Sequence, residues 1–317
     1  MDYLWISISI FAALMQAVRT AAQRTLNQRM SNLGTTYVRS VFGLPPMLVF
    51  LAFVLFLFGG AWPKMSGEYL LLTAGGAATQ IFATMALIYM FKLRNFAIGT
   101  MLTKVDILMT AVIGTALFSE SLSTNGVIAL LVVVGGVLLM TVGRMGIGTL
   151  MGGGDGILAQ VFGRSTQVAF LCALLFTFSY LFLREALLTM EPAEGYVVPE
   201  GVAAMFWRGG WTVVVATSMQ IVAVGTYLWF TERSVFQEMR ASAGIGTFIG
   251  VTSAVGSIGW YTAFAMQNAS YVRAVGQIEV VFTLLIAWFY FRERMTMLEL
   301  AGVGLTVAGI LMFRLMA

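Results

Sequence analysis

Ten apolar runs, each about long enough to cross a bilayer, follow one another along this chain with very little between them. They lie near residues 3–28, 33–58, 68–90, 95–118, 122–143, 166–189, 199–230, 242–266, 270–291 and 296–316. A helix of about 20 apolar residues spans the hydrocarbon core. Connections such as Phe91-Lys92-Leu93-Arg94 and Ser119-Glu120-Ser121 are too short to build anything outside the membrane, so consecutive runs must be antiparallel neighbours. Of the 317 residues 59% are hydrophobic and 10% charged, whereas a soluble domain carries about 25% charge. The expected class is an all-α integral membrane protein with ten transmembrane helices.

One segment departs from this pattern. Residues 144–165 contain Gly146, Gly148, Gly152, Gly153, Gly154, Gly156 and Gly163, a composition that reads as a flexible linker. It separates a first five-span stretch, 1–143, from a second, 166–317. The first run has no basic leader and no small-residue cleavage pattern, so it is expected to remain in the mature protein. Arg24, Arg29, Lys92, Arg94, Arg144, Arg164, Arg233, Arg240, Arg292 and Arg294 fall on one side of the spans, and Lys64 and Arg314 on the other. The positive-inside rule makes the first side cytoplasmic and leaves both termini outside, with a bacterial inner membrane as the expected setting. The net charge of +4 is then loop bias and not a nucleic-acid footprint. With no histidine and one cysteine, Cys172, the chain lacks the ligands for zinc, haem or iron–sulfur sites and cannot form an internal disulfide. No metal, no cofactor and no catalytic residue is expected, and the chain does not read as an enzyme.

The two halves repeat one another. A shift of 173 residues lays Asn95 on Asn268, Ala97 on Ser270, Lys104 on Gln277, Asp106 on Glu279, Thr110 on Thr283, Glu120 on Glu293 and Gly136 on Gly309 without a gap. Slightly smaller shifts align Arg19 with Arg184 and Arg39 with Arg208. Since five is odd, two copies in one chain insert upside down relative to each other, the architecture of many alternating-access transporters. The stretches Asn95-Phe96-Ala97 through Leu117-Phe118-Ser119-Glu120-Ser121-Leu122 to Gly135-Gly136-Val137, and Asn268-Ala269-Ser270 through Phe291-Arg292-Glu293-Arg294 to Ala308-Gly309-Ile310, resemble the last two helices of an EamA domain of the drug/metabolite transporter superfamily. Thr103 and Lys104 stand near the place where that family commonly has a proline. The resemblance implies two inverted five-helix repeats around a central cavity that moves small metabolites.

Eight charges fall inside the spans: Arg19, Arg39, Lys104, Asp106, Arg184, Arg208, Arg273 and Glu279. At about 2.5–3.5 kcal/mol for each Arg, Lys or Asp at a helix centre, their burden is on the order of 20 kcal/mol. Lipid exposure is untenable, so they face a polar cavity or one another. In the first span Gln16, Arg19, Thr20, Gln23 and Asn27 share one helical stripe. Lys104 and Asp106 sit at opposite edges of an arc of about 160° and must reach partners on other helices or a ligand.

Two readings of these charges stand side by side. Arg19, Arg39, Lys104, Arg184, Arg208 and Arg273 line a basic site for carboxylate or phosphate, joined by Gln277, Trp207, Trp260 and Tyr261. Alternatively the arginines snorkel, cap carbonyls or pair with the acids. Asp106 and Glu279 are the proton-coupling candidates. Glu120 and Glu293 are expected to serve the N-terminal amides of the helix that follows each. The expected function is secondary active transport of a small organic anion or zwitterion by alternating access, with a proton or counter-substrate as possible co-partner. The alternative is proton-coupled export of cationic or lipophilic amines through Asp106 and Glu279.

Overall fold

The computed structural model of the chain describes residues 3–26, 29–91, 103–145, 164–289, 292 and 295–315. The described residues are mostly helical, and their one strand-like feature is an isolated bridge between Pro63 and Pro192. In chain order the helices are α1 Leu4–Leu26, α2 Asn32–Phe58, α3 Gly67–Phe91, α4 Asp106–Leu117, α5 Thr124–Met145, α6 Arg164–Thr189, α7 Val202–Thr231, α8 Ser234–Ala241, α9 Ala243–Met266, α10 Ala269–Gly276, α11 Ile278–Phe289 and α12 Met297–Leu315. Nine stretches among them are long and apolar enough to cross a membrane, with α10 and α11 together supplying one, Ala269–Ile286. The chain is therefore an integral membrane protein in class. Of the expected span 95–118, helix α4 is the main described part, at 12 residues; its beginning lies outside the described residues. So do residues 146–163 of the expected linker.

Short polar side chains start several of these helices. Ser31, Ser66, Ser123 and Thr296 accept from the backbone N–H of Gly34, Tyr69, Gly126 and Glu299 at 3.0, 3.2, 3.0 and 3.2 Å, satisfying amides that have no partner within the helix. Gly59 ends α2 with φ +91, a left-handed position that suits glycine. Helix α8 was not expected: it is a single amphipathic piece in the connection between α7 and α9. Its Val235 is buried while Arg233 and Arg240 stay exposed.

Several backbone features of the described residues recur 173 residues apart. Ser119 and Arg292 have φ of 53 and 55 and are the two non-glycine residues with positive φ among the described residues. Helices α5 and α12 begin at Thr124 and Met297, again 173 apart. A turn at Lys104 and Val105 precedes α4, and a turn at Gln277 separates α10 from α11. The torsions there, φ −67 and ψ −14 at Val105 and φ −66 and ψ −10 at Gln277, are tight-turn values and agree to within one residue of the register.

Two compact units divide the chain, and neither is a sequence half. One comprises Leu4–Ile81 with Ser179–Gln267; the other comprises Phe82–Phe178 with Asn268–Ala317 and the first three residues. Each draws on both sequence halves, and α3 and α6 each contribute to both units. In the first unit α1 and α2 pack on α9, and α2 and α7 pack together. Close approach there depends on missing side chains: a Cβ on Gly259 would lie 2.9 Å from Ala12 Cβ, and one on Gly43 would lie 3.3 Å from the Gly250 carbonyl. The second unit is dominated by α5 against α12. There a Cβ on Gly136 would meet the Gly302 carbonyl at 2.8 Å, and one on Gly302 would meet the Gly136 carbonyl at 2.7 Å. Backbone meets backbone along this seam, as small residues permit in lipid.

Candidate functional site

Arg19 stands seven residues before the end of α1, and Arg39 seven residues after the start of α2. A short connection joins these two helix ends. At 1.5 Å per residue both charges therefore lie at the same depth, about 10 Å from that face. Arg19 and Arg39 feel each other's charge, and Arg39 also feels the Tyr261 hydroxyl of α9. Tyr261 in turn feels Tyr69 on α3, whose hydroxyl donates to Thr212 Oγ1 of α7 at 3.4 Å. Beside this row the Trp260 indole donates to Gln16 Oε1 at 2.9 Å, and Trp260 stacks on Phe264 at 6.5 Å. Gln16 and Arg19 are one helical turn apart, so the bond fixes the face of α1 that carries Arg19.

Among the described residues no carboxylate and no hydrogen-bond acceptor reaches the Arg39 guanidinium. Its residue is only half-buried, so part of it stays accessible. A guanidinium held this way, beside a second guanidinium and a row of hydroxyls, can bind an oxyanion from outside the chain.

Arg184 and Arg208 lie elsewhere in the same unit and act on helix ends. Arg184 Nε donates to the Gln267 carbonyl at 3.0 Å, just beyond α9. Arg208 Nη1 donates to the Leu187 and Leu188 carbonyls at 3.1 and 3.3 Å, in the last turn of α6. Cations belong at helix C-termini, where carbonyls lack partners. Trp207 is 1% exposed and its indole donates to the Ala61 carbonyl at 2.7 Å. It is packed in the core, where it holds the 61–66 connection, and does not wall an open site. That connection pairs with 191–193 through Ala193 N–H to Trp62 O and Lys64 N–H to Glu191 O, both 2.8 Å.

The remaining candidates belong to the second unit. Asp106, in the first turn of α4, is 4% exposed, and its Oδ2 accepts from Arg273 Nη2 of α10 at 3.1 Å. Asp106 thus finds its partner on another helix, and the positive end of α4 adds to the support. Its Oδ1 has no hydrogen-bond donor, and neither has Oε1 of the buried Gln277 at the α10–α11 turn. The Asp106 carbonyl accepts from Thr110 at 2.6 Å and from Thr177 at 3.1 Å. Lys104 is half-buried at the turn before α4 and has no ion-pair partner among the described residues. Glu279 occupies the first turn of α11, half-buried, and thereby repeats the placement of Asp106.

The Glu120 carboxylate accepts from Ala269 N–H at 2.7 Å and from the Ser270 hydroxyl at 3.3 Å, so it caps α10, 149 residues away. Asn268 Nδ2 donates to the Ser121 carbonyl at 2.7 Å and Ser123 N–H donates to the Tyr271 hydroxyl at 2.9 Å, completing the clamp. Glu293 lies outside the described residues. Sequence reasoning passed over Glu299, which is 1% exposed. It accepts from Thr296 N–H at 2.6 Å while Thr296 Oγ1 accepts from Glu299 N–H, and its other oxygen meets Arg144 at 3.4 Å. Thr296-x-x-Glu299 is the capping-box pattern, legible from spacing alone.

No family model and no curated protein matches this chain. Among solved structures 28 chains match. One, described only as a crystal structure of a protein, is similar over 100% of this chain and 100% of its own length, with a TM-score of 0.69 at 14% identity. At that identity the likeness shows the fold and nothing further.

Proposed function

We propose that this chain is a secondary transporter for a small organic anion or zwitterion, such as a carboxylate, an amino acid or a phosphorylated metabolite. It is built as two inverted five-helix repeats of the EamA type and works by alternating access. The observation that carries the reading is Arg39: a deep guanidinium, open on one side, with Arg19 as its charged neighbour and no carboxylate in reach among the described residues. A purely structural arginine in a membrane is matched by an acid or by helix carbonyls, as Arg273, Arg184 and Arg208 are here. The turn at Lys104–Val105 before α4 and the turn at Gln277 between α10 and α11, at corresponding places of the two halves, support the transporter architecture. The two compact units, each drawn from both halves, are better candidates for the moving bodies than the sequence halves themselves. Amine export through Asp106 is less favoured, because the Asp106 carboxylate already holds Arg273.

The test is binding and uptake by purified protein. Small carboxylates and phosphates should raise its thermal stability, and amines should not. Arg39→Ala should remove that protection and uptake into proteoliposomes while the protein stays folded. Full protection and transport by Arg39→Ala would sink the reading.

A further inference from the structure

The same geometry that favours an anion opposes the return of an empty carrier. We infer that this protein is an obligate anion exchanger, in which Arg39 must carry an anion in both directions; the inference rests on the anion-site reading above. Arg39 is half-buried, and in an open state water would solvate its exposed part. Passage between the two faces requires an occluded state, in which that water is lost. With substrate bound, its carboxylate or phosphate replaces the water and neutralises the guanidinium. Without substrate the group would be dehydrated beside Arg19, a like charge, at about 10 Å depth. Among the described residues no acid takes the ligand's place: besides Arg19, Arg39 feels only the neutral hydroxyl of Tyr261, which in turn feels Tyr69, bonded to Thr212.

The contrast with Asp106 and Arg273 sharpens the point. That pair neutralises itself within the chain at 3.1 Å, so it can be occluded whether or not ligand is present. Arg39 has no such internal counter-charge among the described residues. The penalty for burying one uncompensated arginine corresponds to about a 100-fold loss in the population of the occluded state. A ligand can drive reorientation to the extent that it binds the occluded state better than the protein alone tolerates it.

The experiment uses the full chain in proteoliposomes. Inorganic phosphate, succinate and glycerol 3-phosphate are first compared by thermal stabilisation, and the strongest is used as radiolabelled probe. Vesicles contain either the same unlabelled anion or an isotonic sucrose solution. Uptake should be about 100-fold faster into the anion-loaded vesicles, and label already inside should leave only when unlabelled anion is supplied outside. A second variant, Tyr261→Glu, places a carboxylate beside Arg39 and should weaken probe binding while narrowing the ratio of loaded to empty rates to a few-fold. Equal rates into loaded and empty vesicles, with wild-type binding intact and lost in Arg39→Ala, would overturn exchange and leave the anion site standing. Absence of stabilisation by all three anions would overturn the site itself and the exchange with it.

Discussion

Replacing Asp106 by Asn keeps the shape of the side chain and removes its charge, which leaves Arg273 facing a neutral amide. The exposure of the pair decides the size of the effect. Ion pairs in water contribute about 0–1 kcal/mol, but here the side chains are 12% and 6% exposed and the bond is 3.1 Å. Breaking a buried pair on one side costs about 3–5 kcal/mol, because a charge is stranded, whereas replacing both members by apolar groups of similar volume is close to neutral. Asp106→Asn should therefore destabilise by about 3–5 kcal/mol, which includes the loss of a carboxylate from the first turn of α4. The double variant Asp106→Leu with Arg273→Met should fall within about 1 kcal/mol of wild type. Reversible unfolding in bicelles by titration with a denaturing detergent measures Asp106→Asn and, as the four corners of a cycle, wild type, Asp106→Leu, Arg273→Met and the double variant. A loss under about 1 kcal/mol for Asp106→Asn, or a double variant as unstable as the two single ones added together, would refute the claim that the pair is self-contained. The second outcome would also remove the contrast on which exchange is argued.

Three further outcomes follow from the packing and the caps. Gly302→Ala should cost about 1–3 kcal/mol, since the new Cβ would lie 2.7 Å from the Gly136 carbonyl, while Gly304→Ala, with nothing within 4 Å, should be neutral or gain up to about 1 kcal/mol; thermal melts of the two side by side check this. Glu120→Gln should destabilise the second unit by about 1.5–3 kcal/mol through the loss of charge-assisted bonds to α10, and hydrogen exchange should rise first at Ala269 and Ser270. Tyr271→Phe should leave the Ser123 N–H without its side-chain acceptor, at about 1–3 kcal/mol, read as a lower unfolding midpoint with substrate binding unchanged.

Apolar length made the spans legible before any coordinates, because a membrane helix must bury its own backbone polarity and so advertises itself as an unbroken run. Nine described spans lie where the runs lie. The serine and threonine caps were equally readable, and Thr296-x-x-Glu299 shows that a spacing rule can be present and still be passed over. The fate of a lone charge was not readable. Arg39 and Arg208 look alike as single arginines in apolar stretches, yet Arg208 reaches the carbonyls at the end of α6 and Arg39 reaches none among the described residues. Only the placement of a neighbouring helix end separates them, and pattern carries no information about that. The bond from Glu120 to α10 was unreadable for the same reason, since Ala269 lies 149 residues away. The turn at Lys104 has neither proline nor glycine to announce it, and α8 is too short for periodicity to be distinguished from loop.

The seam between α5 and α12 also bears on how the protein is made. Helix α5 ends at Met145 and its partner begins at Met297, roughly 150 residues later, which at common translation rates is about 10–30 s of synthesis. Through that interval the groove formed by Gly136 has no Gly302 to receive. The second unit therefore closes late, against a backdrop of lipid and of other nascent helices with small residues on their faces. Losing α12 to a premature stop should be more damaging than its length suggests, since α5 would be left holding a socket open to any other passing helix.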